Sequence, residues 1–146
     1  MKSVVILRGC AGSGKTTYAQ RLKSRLNSLL SVSCVVCSAD DYFTHNGTYH
    51  FDHAKLGAAH EACRKAAHEA LTHGINVVVI DNTNISRYEF KDYIDYAIEF
   101  GYCVVERAIG LDLDLDTLVK RGTHKVPREK VESTLRRLKD SIRNRG

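Results

Sequence analysis

Apolar residues in this chain fall into four short, near-continuous runs, and between them the spacing changes to a helical one. SVVILR (3–8), SVSCVVCS (31–38), INVVVI (75–80) and YCVVERAI (102–109) read as buried strands. After the first run, Ala19, Leu22, Leu26, Leu29 and Leu30 recur at helical spacing. The alanine-rich stretch from Asp52 to His73 predicts a long helix stopped by Gly74, and residues 86–100 predict another stopped by Gly101. THNGTYH (44–50) reads as a turn-rich loop. LDTLVKR (115–121) predicts a short helix, GTHKV (122–126) a loop, and Pro127 opens a last helix through about Arg143.

Strands alternating with helices imply an α/β protein: a central parallel sheet of about four strands with helices on both faces. Ligands of such sheets bind beyond the carboxyl ends of the strands. Three polar clusters follow strand ends: residues 9–14, Asp40-Asp41 and Asp81. No linker or repeat interrupts the pattern, so residues 1–146 are expected to form one domain.

Composition narrows the class. With 43% hydrophobic and 27% charged residues the chain is of globular type. No apolar run approaches the length of a membrane span, and Met1-Lys2-Ser3 leads straight into a strand with no room for a signal peptide. The expectation is an intracellular protein, cytoplasmic or nuclear, not secreted and without a membrane partner. The five cysteines are odd in number and scattered, which excludes a disulfide framework. Cys34 and Cys37 form a C-x-x-C within a strand, where residues three apart point to opposite faces; buried thiols are expected, not a metal or redox pair. Residues 117–146 hold ten Lys or Arg against three Asp or Glu. That basic end suits a polyanionic partner or, more plainly, a solvated helix face.

The chemistry begins at GCAGSGKT (9–16), a match to G-x-x-x-x-G-K-[ST] placed between a strand and an amphipathic helix. Gly9, Gly12 and Gly14 let the backbone turn tightly around phosphate oxygens, with Ser13 inside the same loop, and the following helix adds its positive end at Lys15, Thr16 and Thr17. Lys15 is expected on the β- and γ-phosphates of ATP, and Thr16 on Mg²⁺. Asp81, closing VVVID (77–81), suits a Walker-B position near that metal, or caps the next turn. Asn82, Thr83 and Asn84 add short hydrogen-bonding side chains at the same edge, as substrate contacts or as turn chemistry. In SADDYF (38–43), either Asp40 or Asp41 is placed to take a proton from an attacking hydroxyl. KRGTHKVPR (120–128) reads as a basic lid or as a solvated loop.

These segments together resemble the P-loop 5′-hydroxyl polynucleotide kinases over about residues 3–145. GCAGSGKTT (9–17) resembles the family's phosphate loop. DDY (40–42) resembles its general-base motif, which puts the base on Asp40. VKRGTHKVP (119–127) resembles its lid, which puts the lid arginine on Arg121. DDYFTHNGTYHFD (40–52) with IDNTN (80–84) is similar to the animal kinase modules with a DDYF…DNTN signature. Phe43 and Asn82 follow that branch and depart from the phage branch, which has an arginine and an acid there. The resemblance implies the P-loop kinase fold with strand order 2-3-1-4 and ATP and Mg²⁺ as cofactors. It implies a nucleic acid 5′ end, DNA or RNA, as acceptor. The residues do not indicate an oligomeric state.

Overall fold

The computed structural model describes residues 2–122 and 124–144. Thr123 of the basic loop lies outside the described residues, as do Met1, Arg145 and Gly146. In chain order the elements are β1 (Ser3–Arg8), α1 (Lys15–Leu29), β2 (Cys34–Cys37), the short strands β3 (Thr44–His45) and β4 (Thr48–Tyr49), α2 (Leu56–Thr72), β5 (Val77–Asp81), α3 (Arg87–Phe100), β6 (Cys103–Ala108), α4 (Leu115–Arg121) and α5 (Arg128–Asn144). The main sheet runs β2-β5-β1-β6, all parallel, which is the expected 2-3-1-4 order of the four long strands.

The two-residue period of the strands divides the core into layers. Val4, Ile6, Val78 and Ile80 face α2 and α3, where Phe90 and Ala97 pack against them. Val5, Leu7 and Val79 face the other way, onto Ala19, Leu22 and Leu26 of α1. Cys34 and Cys37 point into opposite layers, as their spacing requires, and both are buried free thiols. A third cluster packs α4 and α5 beneath the phosphate loop, through Cys10, Ile85, Leu118, Val131 and Leu138. Burying a large side chain such as Ile6, Ile80 or Leu118 contributes about 1.5–3 kcal/mol each. The strand ends that carry polar residues are therefore set on a stiff base.

Three local details differ from the sequence reading. The second strand starts at Cys34, not residue 31, because Ser31 takes a left-handed φ of 53° and the Val32 amide closes onto Leu26 O. The long helix starts at Leu56, because the Asp52 carboxylate accepts from Ala54 N and caps a 3₁₀ turn at His53–Lys55 instead. The loop 44–50 is a hairpin: β3 and β4 pair around Asn46-Gly47, both with positive φ (53° and 78°), the geometry of a type I′ turn. Past the carboxyl end of β5, Ser86 and Glu89 exchange hydrogen bonds to start α3, and Gly101 ends it with φ 74°.

Candidate functional site: a phosphate loop facing an exposed carboxylate

The loop Gly9–Gly14 leaves the tip of the central strand β1 and enters α1 at Lys15. Its path is tight enough to need glycine at position 12, where φ is 82° and a Cβ would lie 2.1 Å from Leu118 O of α4. Ser13 turns its side chain inward and is 4% exposed. Lys15 lies back along the loop, its Nζ donating to Cys10 O at 3.2 Å. Burial pushes its ammonium pKa down, while the carboxylate charges of Asp81 and Asp40 pull it back up. A half-buried ammonium at a helix start is prepared for phosphate oxygens, which add further counter-charge. The Cys10 thiol is buried and its pKa raised by that burial, so it is a packing residue of the loop.

Thr16, in the first turn of α1, donates through Oγ1 to Asp81 Oδ2 at 3.0 Å. Asp81 is 6% exposed at the end of β5, the strand beside β1. Burial raises its carboxyl pKa; the Lys15 charge and the Thr16 hydroxyl hold it down against that. A hydroxyl and a carboxylate side by side are hard oxygen donors of the kind Mg²⁺ takes, one or two at a time, alongside phosphate oxygens. The residues present therefore fit the expected metal. Among the described residues no three His, Cys, Asp or Glu side chains gather into a metal site elsewhere.

Asp40 and Asp41 sit in a 3₁₀ turn, Ala39–Phe43, just past the tip of β2. Ser38 Oγ caps it by accepting from Asp40 N. Phe43 is 3% exposed and pins the turn to the α2 side of the core. This is why a phenylalanine stands at that position: it is an anchor pointing inward. The Asp40 carboxylate stays exposed, and its charge reaches both Lys15 and Asp81. Burial, followed by the charges of Asp40 and Asp81, raises the Asp41 pKa.

The segment 82–84 holds the edge together. Asn82 Oδ1 accepts from Ala39 N at 2.9 Å, tying the Asp40 turn to β5. Thr83 O accepts from Gly9 N. Asn84, with φ 47°, is 2% exposed and donates to Leu7 O at 2.7 Å, so its side chain lies inside and off any acceptor surface. Asn84 O and Ile85 O both accept from Arg8, a 6% exposed arginine at the end of β1 that also donates to Ser141 of α5. The role of Arg8 could not be read from the sequence, where a charge ending a strand looks like an ordinary polar edge.

Arg121 ends α4 and reaches the start of α1: a methyl on Gly14 would lie 3.1 Å from Arg121 Nη2. Arg121, expected as a lid arginine, lies beside the phosphate loop. Beyond it, His124 stacks on Tyr49 of the hairpin, beside Asp40. Neither Tyr49 nor His124 was singled out from the sequence. The Asn-Gly turn signal could have placed Tyr49 next to the base motif. The arrangement offers a phosphate cradle, a hard-oxygen pair, a mobile-length arginine and an exposed carboxylate on one edge, which is the equipment of phosphoryl transfer.

Comparison with known proteins agrees with this geometry. A family model described as an AAA domain matches residues 4–145. The human NEDD4-binding protein 2 is 36% identical over 140 residues, covering 90% of this chain and 7% of that protein. Among solved structures, the chain is similar to one from the Pnkp1/Rnl/Hen1 RNA repair complex, with a TM-score of 0.72 and 18% identity over 98% of this chain and 46% of that one. It is also similar to the Mycobacterium tuberculosis APS kinase CysC in complex with AMPPNP and APS, with a TM-score of 0.51 and 17% identity over 73% of this chain and 61% of that one. The chain thus spans a small part of the human relative and less than half of the repair-complex chain. The findings support the polynucleotide kinase resemblance drawn from the three motifs, and a kinase-like, nucleotide-binding P-loop fold.

Proposed function

The chain belongs to the AAA domain family, and from that premise we propose that it is a kinase transferring the γ-phosphate of ATP to the 5′-hydroxyl end of a polynucleotide, DNA or RNA. Lys15 and the loop Gly9–Gly14 hold the ATP phosphates, with Thr17 in the same first turn. Thr16 and Asp81 hold Mg²⁺, which when bound neutralises charge on the phosphate oxygens. Asp40 orients the acceptor hydroxyl and takes its proton as the new O–P bond forms and the bond to the ADP oxygen breaks. Because the transition state is loose, the proton moves late, and the carboxylate need only orient the hydroxyl and accept its proton. Arg121 stabilises the moving phosphoryl group. Asp41 and Asn82, flanking Asp40, belong to the acceptor side.

The observation that carries this reading is an exposed carboxylate, Asp40, in a turn that Asn82 ties to the tip of β5, beside the phosphate loop. Tyr42 and most of the hairpin are exposed around it, so the acceptor side is open enough for a chain end. The named complex of the structural neighbour, an RNA repair complex, points the same way.

A second reading, a kinase of a small hydroxyl compound, is favoured by the similarity to APS kinase. One assay separates the two: transfer from γ-labelled ATP with Mg²⁺ to a short 5′-hydroxyl oligonucleotide, beside its 5′-phosphorylated twin. Label on the first alone supports the polynucleotide. Label on neither, with ATP bound, moves the weight to the small acceptor. If a panel of hydroxyl compounds also stays unlabelled, the chain is a nucleotide-binding module. Asp40→Asn should abolish transfer and spare ATP binding; full transfer in that variant sinks the base assignment.

A further inference from the structure

The basic loop and the β3–β4 hairpin meet at Asp40. Tyr49 donates from its hydroxyl to Asp40 Oδ1 at 3.3 Å. The His124 imidazole lies flat on the Tyr49 ring, with centroids 3.7 Å apart and planes 19° apart, and its Nε2 is 3.6 Å from Asp40 Oδ2. Phe43 meets the Tyr49 ring nearly edge-on at 6.2 Å, and Phe51 lies parallel to it at 6.4 Å. Three residues from three separate segments therefore close a triangle around one carboxylate. Three residues upstream, at the end of α4, Arg121 reaches the phosphate loop at Gly14.

This triangle is weakly motivated by folding. The side chains of His124 and Asp40 remain 36% and 55% exposed, so their contact adds little to any core. What it does supply is orientation. An exposed aspartate on a short turn samples several rotamers. An ionised carboxylate has about four lone-pair sites, so one bond from Tyr49 fixes its direction and leaves the others for an incoming hydroxyl. Burial and the neighbouring Asp40 charge push the Tyr49 phenol up to about 12, so it remains a donor through neutral pH.

We propose that Tyr49 and His124 are positioning residues for phosphoryl transfer. Tyr49 aims the Asp40 carboxylate through its hydroxyl, and the His124 stack holds both the phenol and the basic loop over the acceptor side. The proposal rests on the reading of Asp40 as the base. It also joins the two halves of the reaction: the loop that follows Arg121, the arginine proposed for the donor phosphates, is fastened through His124 to the base on the acceptor side.

The test uses Tyr49→Phe, His124→Phe, His124→Ala and Asp40→Asn, with two readouts. The first is kcat, KM and ATP affinity with a 5′-hydroxyl oligonucleotide. The second is the rate at which trypsin cuts after Lys125 in the presence of ATP, which reports loop opening and needs no acceptor. For His124→Ala, kcat should fall about tenfold and the loop be cut about five- to tenfold faster, the scale of one aromatic stack, with ATP affinity within about twofold. His124→Phe keeps the stack and should restore both. Tyr49→Phe keeps the stack and loses the hydrogen bond; kcat should fall about three- to tenfold with trypsin cutting unchanged. Wild-type cutting in His124→Ala, or no rescue by phenylalanine, overturns the stack. Full kcat in Tyr49→Phe overturns the aiming role. Asp40→Asn at full rate removes the base and this proposal with it, whereas a dead Asp40→Asn beside a fully active His124→Ala removes the positioning role alone.

Discussion

The Thr16 hydroxyl donates to Asp81 Oδ2 across 3.0 Å, joining the first turn of α1 to the tip of β5. Both groups are hard oxygen donors, and on the proposed reading they would hold the Mg²⁺ of the ATP complex. Removing the hydroxyl leaves Asp81 buried with less to hold its charge. Thr16→Ala is therefore expected to weaken Mg²⁺-dependent ATP binding about 10- to 100-fold, the usual scale for residues that orient a metal ligand. Calorimetric titration of ATP with Mg²⁺ and again with a chelator checks this. The difference between wild type and variant should vanish in the chelator; a deficit that persists there would place Thr16 on the phosphates alone.

Acid should stop nucleotide binding before it unfolds the protein. The Asp81 and Asp41 pKa values are raised by burial from 3.8. A carboxyl raised in the folded state stabilises the fold below its unfolded value and loses that contribution as pH rises through the folded one. Protonating these two groups thus costs the empty fold nothing. It does remove the negative charge that a metal needs at Asp81. Asp114, which caps α4 by accepting from Thr117 N, is shifted the other way, below 3.8, and its contribution is lost only as pH falls through that lower value. Between neutrality and pH 3.8, Mg²⁺-dependent ATP binding is expected to fall while the Tm of the free protein holds. Loss of both together would contradict the assignment.

Two glycines should respond in opposite directions. At Gly12 a Cβ would lie 2.1 Å from Leu118 O, at a φ that L-residues rarely adopt; at Gly57, in α2, a Cβ meets nothing. Gly12→Ala should destabilise by about 2 kcal/mol or more and displace α4 from the phosphate loop. Gly57→Ala should stabilise by about 0.4–1 kcal/mol, because the unfolded chain loses freedom that the helix never used. Denaturant titrations of both variants decide the matter. Equal effects would mean that the loop does not rest on Leu118.

Legibility in the sequence tracked how local each cause was. The phosphate loop depends on consecutive residues between a strand and a helix, so GCAGSGKT announced it. The strand order followed from alternating elements and the family resemblance, and the layered core from the two-residue period. Asn84 reads as an edge residue like Asn82, yet its left-handed backbone turns its amide inward to Leu7 O. Arg8 reads as the polar end of a strand, but α5 returns and buries it against Ser141. Tyr49 and His124 lie inside the quoted segments 40–52 and 119–127, but neither segment assigns them a role, because their contact needs the hairpin and the basic loop to converge on Asp40. These misses share one physical origin: the partners come from segments far apart in the chain, and spacing encodes no such contact.

Arg121 stands at the amino end of α1, its guanidinium against Gly14. It is exposed, and among the described residues no carboxylate pairs with it. An unpaired cation at a phosphate loop serves the charge that develops during transfer more than it serves stability, because an exposed charge contributes little to the fold. Arg121→Ala should therefore leave Tm nearly unchanged and weaken ATP binding only a few-fold, while kcat falls about 10³-fold or more. Arg121→Lys should recover only part of that loss, since a lysine keeps the charge and lacks the planar fork that grips two phosphate oxygens at once. Single-turnover transfer at saturating ATP measures the chemical step directly. If Arg121→Ala loses affinity and rate in equal measure, the residue binds ground-state phosphates uniformly; if it transfers at the wild-type rate, the stabilising cation is another of the basic residues in 120–128.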